Sequence, residues 1–206
     1  MRYSREHKQE THARIVRKAS VRLREKGAHG IGVADLMKEA GLTHGGFYAH
    51  FDSRAALVIE AFTYAMDRSI ANWRKAAEQI APEKRLESTI DSYLTSVHRD
   101  DPGRGCALPT LGAEIARESP RTRKAFAAKL DQMIDMLAEQ IPGVPPKTAR
   151  KQAVATLATM MGTIVLSRIA GSGEFSDEIL AAGREAAVGR ATAKKPAAKK
   201  APAARH

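Results

Sequence analysis

LMKEAGLTHGGFYAHFDSRAAL, residues 36–57, decides the fold of this 206-residue chain. With Val33 ahead of them, Leu36, Met37 and Ala40 recur at i, i+3, i+4 and i+7, the spacing that lines one face of a short helix. That helix is expected to stop at Gly41, which takes the positive φ of a helix end at no steric cost. Leu42 then plugs the turn, and Thr43 is expected to cap a second helix over 44–51. On that helix Phe47 and Phe51, four residues apart, face a small core, while His44 and Tyr48 line the neighbouring strip. Gly45 and Gly46 each cost a helix about 1 kcal/mol relative to alanine, so the pair demands a compensating reason. Close approach of a nucleic-acid backbone supplies one. The stretch reads as a helix-turn-helix whose second helix lies against DNA.

At Ala40-Gly41, Leu42-Thr43, Gly45, Phe47-Tyr48, His50-Phe51, Ser53-Arg54 and Leu57 the chain resembles the tetracycline-repressor (TetR) family of bacterial transcription regulators, in order and spacing and with no insertion. The resemblance is sharp over the first third of the chain and architectural beyond it. Three positions depart from the family pattern: Val33 replaces a usual Thr or Ser, His44 a common Lys or Arg, and Arg54 a common Lys. In this motif class Thr43, His44 and Gly45 stand where base edges are met. The resemblance implies that Tyr48 touches a base methyl or the backbone and that His50 and Arg54 bind phosphates. Arg54 suits that role, being always charged and able to grip phosphate with two donors. For His44 both a base edge and a phosphate stay open.

Composition agrees with a polyanionic partner. The chain carries 34 Lys and Arg against 23 Asp and Glu, a net charge of +11, which draws it to double-stranded DNA by long-range attraction and counterion release. No membrane partner is expected: the N-terminus is charged at Arg2, Arg5, Glu6 and Lys8, and the longest uncharged stretch, 152–167, is shorter than a span needs. The single Cys106 excludes an intramolecular disulfide and fits a reducing cytoplasm, so the expected location is cytoplasmic, with the nucleoid. His7 with His12 and His44 with His50 are spaced by five and six residues, not the four that put two ligands on one helix face. No metal site, no other cofactor and no catalytic set is expected.

Helical spacing predicts helices over 6–26, 54–79, 83–98, 107–117, 120–140, 146–170 and 175–187, separated by Gly and Pro turns, and no alternating strand pattern. In the first of these Ile15, Val16, Ala19 and Leu23 face inward, with Arg14, Arg17, Lys18, Arg22 and Arg24 on the surface. The expected architecture is all-α: a helix-turn-helix domain over 1–52, a helical effector-binding and dimerisation domain over 53–189, and a tail over 190–206. After Arg190 the tail reads ATAKKPAAKKAPAARH, with five cations, no acid and nothing apolar larger than alanine. It cannot bury enough to fold and is expected to be a disordered arm that grips phosphate without sequence preference.

The resemblance extends to the body, where it implies a pocket for a small molecule; Phe62, Met66, Trp73, Cys106 and Met133 are its candidate residues. A methionine and aromatic stripe is by itself ordinary core. Cys106 opens a helix behind Arg104-Gly105, which suits either a thiol with a lowered pKa acting as a sensor or a plain buried residue. The last two helices mix large apolar residues with Ala and Gly and are implied to pair with their twins in a homodimer. The expected function is a dimeric repressor released from a pseudo-palindromic operator by an unidentified small-molecule effector. Two alternatives remain at this point: a histone-like, sequence-nonspecific DNA-binding protein, and a cysteine-dependent enzyme with His98 as the base for Cys106.

Overall fold

A computed structural model describes residues 5–28, 30 and 32–192, the last three of these by backbone alone. The described residues form helices joined by short turns, with no strand among them. Helix α1 (Arg5–Lys26), α2 (Val33–Glu39) and a 3₁₀ helix (His44–Ala49) make the head. From it α3 (Arg54–Glu78) runs into a body of α4 (Arg85–Tyr93), α5 (Ser96–Asp100), α6 (Leu108–Ile115), α7 (Pro120–Ala138), α8 (Pro146–Ala170) and α9 (Glu174–Thr192).

The head closes around Ile15, Ala19 and Leu23 of α1, Leu36 and Met37 of α2, and Phe47, Phe51 and Leu57, all buried. Its turn has the expected ending. Gly41 takes φ +75°, and the amides of Gly41 and Leu42 donate back to the carbonyls of Lys38 at 3.0 Å and Met37 at 2.8 Å, so two otherwise orphaned helix carbonyls are satisfied. The Ser53 hydroxyl accepts the Ala56 amide at 3.1 Å and starts α3. In the body, Phe62 of α3 stacks on Phe126 of α7 with ring centroids 3.8 Å apart. Helices α8 and α9 approach so closely that a Cβ at Gly183 would lie 2.1 Å from the Thr163 hydroxyl.

Two expectations are corrected here. The helix predicted over 83–98 is a 3₁₀ turn (Pro82–Lys84) followed by α4 and α5, because Leu94 leaves helical geometry (ψ 68°) and Thr95 caps a fresh helix by accepting the His98 amide at 3.1 Å. Arg24, expected on the surface, is 4% exposed. It lies four residues beyond the buried Ser20 and so on the inner stripe of α1.

By length and composition α8 is apolar enough to cross a membrane. In this fold it packs between α7 and α9, and it carries Thr156, Thr163 and Ser167 buried. Helix α9 runs to Thr192, past the end expected at 187 and into the start of the predicted tail. The rest of that tail, 193–206, lies outside the described residues.

Candidate nucleic-acid interface and the head–body junction

The second helix of the motif differs from its expectation in kind. It is six residues of 3₁₀ helix rather than an α-helix over 44–51. Paired glycines disfavour the α form, and a short 3₁₀ turn suffices to anchor Phe47 and Phe51, whose rings stack at 5.4 Å. Thr43 stands at the cap position, yet its side chain caps nothing; the Gly46 amide donates to the Thr43 carbonyl at 3.0 Å instead.

What this turn presents is a strip of side chains with little to do inside the protein. Thr43, His44 and Gly45 are exposed, and Tyr48 is 71% exposed, edge-on to Phe47. A Cβ added at Gly45 would meet nothing within 4 Å, and one at Gly46 comes no closer than 3.6 Å to Met37. The fold itself therefore gives no steric reason for either glycine.

His50 and Arg54 are placed differently. The Nδ1 atom of His50 is buried without a hydrogen-bond partner, and burial, reinforced by the nearby His12 and Lys8, lowers its pKa. Its neighbour His12 stacks on Phe51 at 4.5 Å and meets the Glu60 carboxylate at 2.6 Å. The guanidinium of Arg54 donates to the carbonyl of Ala28, at the corner that follows α1.

That corner ties the head to the body. The Ala28 amide donates to Glu114 of α6 at 2.6 Å. Gly27 turns the chain with φ +76°, and a Cβ there would fall 2.2 Å from a Glu114 oxygen. One turn earlier, Arg24 donates twice, at 2.9 and 2.6 Å, to the carbonyl of Gly103 in the loop before α6. From the opposite side Arg168 of α8 reaches the carbonyls of Arg99 at 3.0 Å and His98 at 2.8 Å, and the Thr110 hydroxyl at 3.2 Å. Arg99 in turn bonds Ser176 and Asp177 of α9. Apart from Gly27, a glycine at the end of α1, and Arg24, which shares the inner spacing of that helix, these residues gave no local sequence signal.

His98 sits at the centre of this junction. Its Nδ1 donates to the Tyr93 carbonyl at 2.8 Å and its Nε2 accepts the Cys106 amide at 2.9 Å, an arrangement only the neutral ring allows. Burial pushes its pKa down to about 4. His98 is therefore not placed to act as the base for Cys106, since both nitrogens are committed and neither is available to take a proton from the thiol. Cys106 is buried, and desolvation raises its pKa rather than lowering it, which opposes the sensor alternative for this thiol.

Of the other candidate ligand residues, Phe62, Met66 and Met133 are fully buried in the core, and Trp73 is half-buried with its ring edge-on to Tyr93 at 5.6 Å. The Tyr93 hydroxyl is buried beside Cys106 without a partner of full hydrogen-bond geometry, and sequence reasoning did not single it out. No group of three His, Cys, Asp or Glu side chains suited to a metal occurs among the described residues.

Comparison with known proteins follows the same division into head and body. Residues 15–61 match the model for bacterial regulatory proteins of the tetR family, and residues 82–180 match that for the LmrA/YxaF-like transcriptional regulator C-terminal domain. An HTH-type transcriptional regulator of Mycobacterium tuberculosis is 30% identical over 164 residues, covering 76% of this chain and 83% of the relative. Among solved structures, a TetR-family regulator from Cytophaga hutchinsonii superposes with a TM-score of 0.75 at 20% identity, over 94% of this chain and 100% of that one. FadR from Bacillus subtilis, solved in complex with stearoyl-CoA, superposes with a TM-score of 0.66 at 17% identity, over 87% and 97%.

Proposed function

Because the chain belongs to the TetR family of bacterial transcription regulators, we propose that it is a dimeric repressor whose two heads hold a pseudo-palindromic operator until a small molecule in the body releases them. The observation that carries this reading is the strip Thr43, His44, Gly45 and Tyr48: exposed, unused by the fold, and mounted on a rigid aromatic core. In the major groove such a strip meets base edges, and the bare glycines let the backbone come close. Arg54 adds a phosphate contact through the N–H groups its bond to Ala28 leaves over, and His50 adds one as a neutral donor.

A dimer seated on DNA excludes other proteins from that site, which is repression without further machinery. Of the exposed large apolar side chains, Val154 and Leu166 lie on α8 and Phe175 on α9, and this face is assigned to the second copy. In a two-fold dimer the heads are then carried at a fixed spacing. An effector entering beside Phe62, Met66, Trp73 and Met133 meets the buried Tyr93 hydroxyl, with Cys106 as wall rather than sensor. Buried hydroxyls are ordinarily well paired, so a ligand acceptor or donor at Tyr93 improves on the geometry it has there. The working location is the cytoplasm, on the nucleoid, and no catalysis is assigned.

The lysines of 193–206 add sequence-blind phosphate contacts. Deleting them should flatten the dependence of log affinity on log salt by about 0.9 per contact while leaving the preferred sequence unchanged. A changed preference would contradict that role. The dimer face is tested by Leu166→Glu, expected to give a folded monomer in sedimentation; an intact dimer would assign the face elsewhere.

A further inference from the structure

The arginines of this protein are partnered in different ways. Arg22, Arg99, Arg150 and Arg184 each pair with a carboxylate. Arg24 and Arg168 do not: among the described residues their donors reach only the carbonyls of Gly103, His98 and Arg99 and the Thr110 hydroxyl. These are also buried positions, Arg24 at 4% exposure and Arg168 half-buried. Buried charges are normally paired, because neutral hydrogen-bond acceptors offset the desolvation of an ion less fully than an opposite charge does.

Both arginines line one cleft of about 320 Å³ between α1, α6 and α8. Its remaining walls are largely apolar, from Pro102, Pro109, Val165 and Ile169. Glu25 stands on the rim, but its carboxylate is held by Arg22 at 3.0 Å. Two N–H groups of Arg24 and three of Arg168 are used, which leaves donors on each for a ligand.

We propose that this cleft binds a small organic acid, with its carboxylate between Arg24 and Arg168 and its apolar body against Pro102, Pro109, Val165 and Ile169. Burial lowers the pKa of both arginines, the direction expected of cations that lack a counterion. The volume suits a compact ligand. The site is separate from the core around Phe62 and Met133, and it joins an arginine of the head to one of α8. An acid bound there pulls α1 toward α8, and through Gly27 and Ala28 it acts on the corner that positions the reading strip. The binding claim stands without the repressor reading; only its effect on DNA rests on that reading.

The test is calorimetry of the full-length protein with hexanoate and with hexanamide, which share a shape but not a charge. Hexanoate is expected to bind at least tenfold more tightly than the amide, Arg168→Met to lose that difference, and Glu25→Gln to strengthen hexanoate binding several-fold by removing a like charge from the rim. Glu25 is exposed, so its variant folds and carries the test even where Arg168→Met does not. Equal affinity for acid and amide would overturn the proposal, as would a Glu25→Gln variant that binds hexanoate no better than the parent. Dissociation of the dimer by Arg168→Met without any hexanoate binding would assign the charge to the subunit interface and overturn it equally. None of these outcomes depends on operator binding, which Tyr48→Ala tests separately.

Discussion

The reading strip and the head–body junction are opposites in construction. Tyr48 and its neighbours stand in solvent, the Tyr48 ring edge-on to Phe47, whereas Arg24, His98, Glu114 and Arg168 are bound up in hydrogen bonds that tie one element to another. The strip is free to spend its contacts on DNA because a small aromatic core, and not the strip itself, holds the turn. The junction has no such freedom, and a change at one bond is passed on to the next. Substitutions should therefore separate cleanly into those that cost DNA binding and those that cost stability.

The largest effect is expected where the junction is tightest. Gly27→Ala forces a side chain into a positive-φ position already occupied by Glu114, and should destabilise the fold by about 1–3 kcal/mol in a urea titration. Adding Glu114→Ala should recover part of that loss, since the collision goes while the backbone strain stays. A single variant as stable as the parent would break the picture of a rigid corner.

Tyr48→Ala is the counterpart in the strip. Operator affinity should fall by about 1–3 kcal/mol with the melting temperature unchanged, as fits an exposed side chain that meets DNA alone. Loss of stability at equal affinity would reverse the contrast drawn here.

His98 gives a prediction in pH. Above pH 6.5 the ring is neutral whether folded or not, and it costs nothing. Below that the unfolded chain takes up a proton that the folded chain refuses until about pH 4, so stability drains away as pH falls through this window. Between pH 6.5 and 5 the loss from this residue is about 2 kcal/mol. His98→Gln should flatten that slope, and an unchanged slope would place the acid sensitivity in another group. The smallest effect belongs to Arg22→Ala. This arginine pairs with Glu39 across the surface, and exposed pairs contribute little, so the melting midpoint should not move measurably.

The same contrast explains what could be read from the chain. The head was legible because its signals are local: the Gly41 ending and the Phe47–Phe51 pair both lie within the quoted stretch, and each fell where its chemistry placed it. The 3₁₀ form of the second helix escaped because aromatic spacing of four residues suits an α-turn as well. Elsewhere in the body the helix over 146–170 was found at its full length, while the break at Leu94 was not, since Thr95 looks like any polar helix residue until its hydroxyl is seen on the His98 amide. The junction was illegible for a different reason. Arg24 meets a carbonyl 79 residues away and Ala28 a carboxylate 86 residues away, and no window of local periodicity spans such distances.

The central claim is that the heads of this chain read sequence rather than simply hold phosphate. Selection of DNA from a random pool by the full-length protein, at physiological salt and followed by sequencing, tests it most directly. The account predicts enrichment of a pseudo-palindrome with two half-sites, lost when Tyr48→Ala replaces the parent. A pool that returns with no preferred sequence, bound as well by the variant as by the parent, would contradict it.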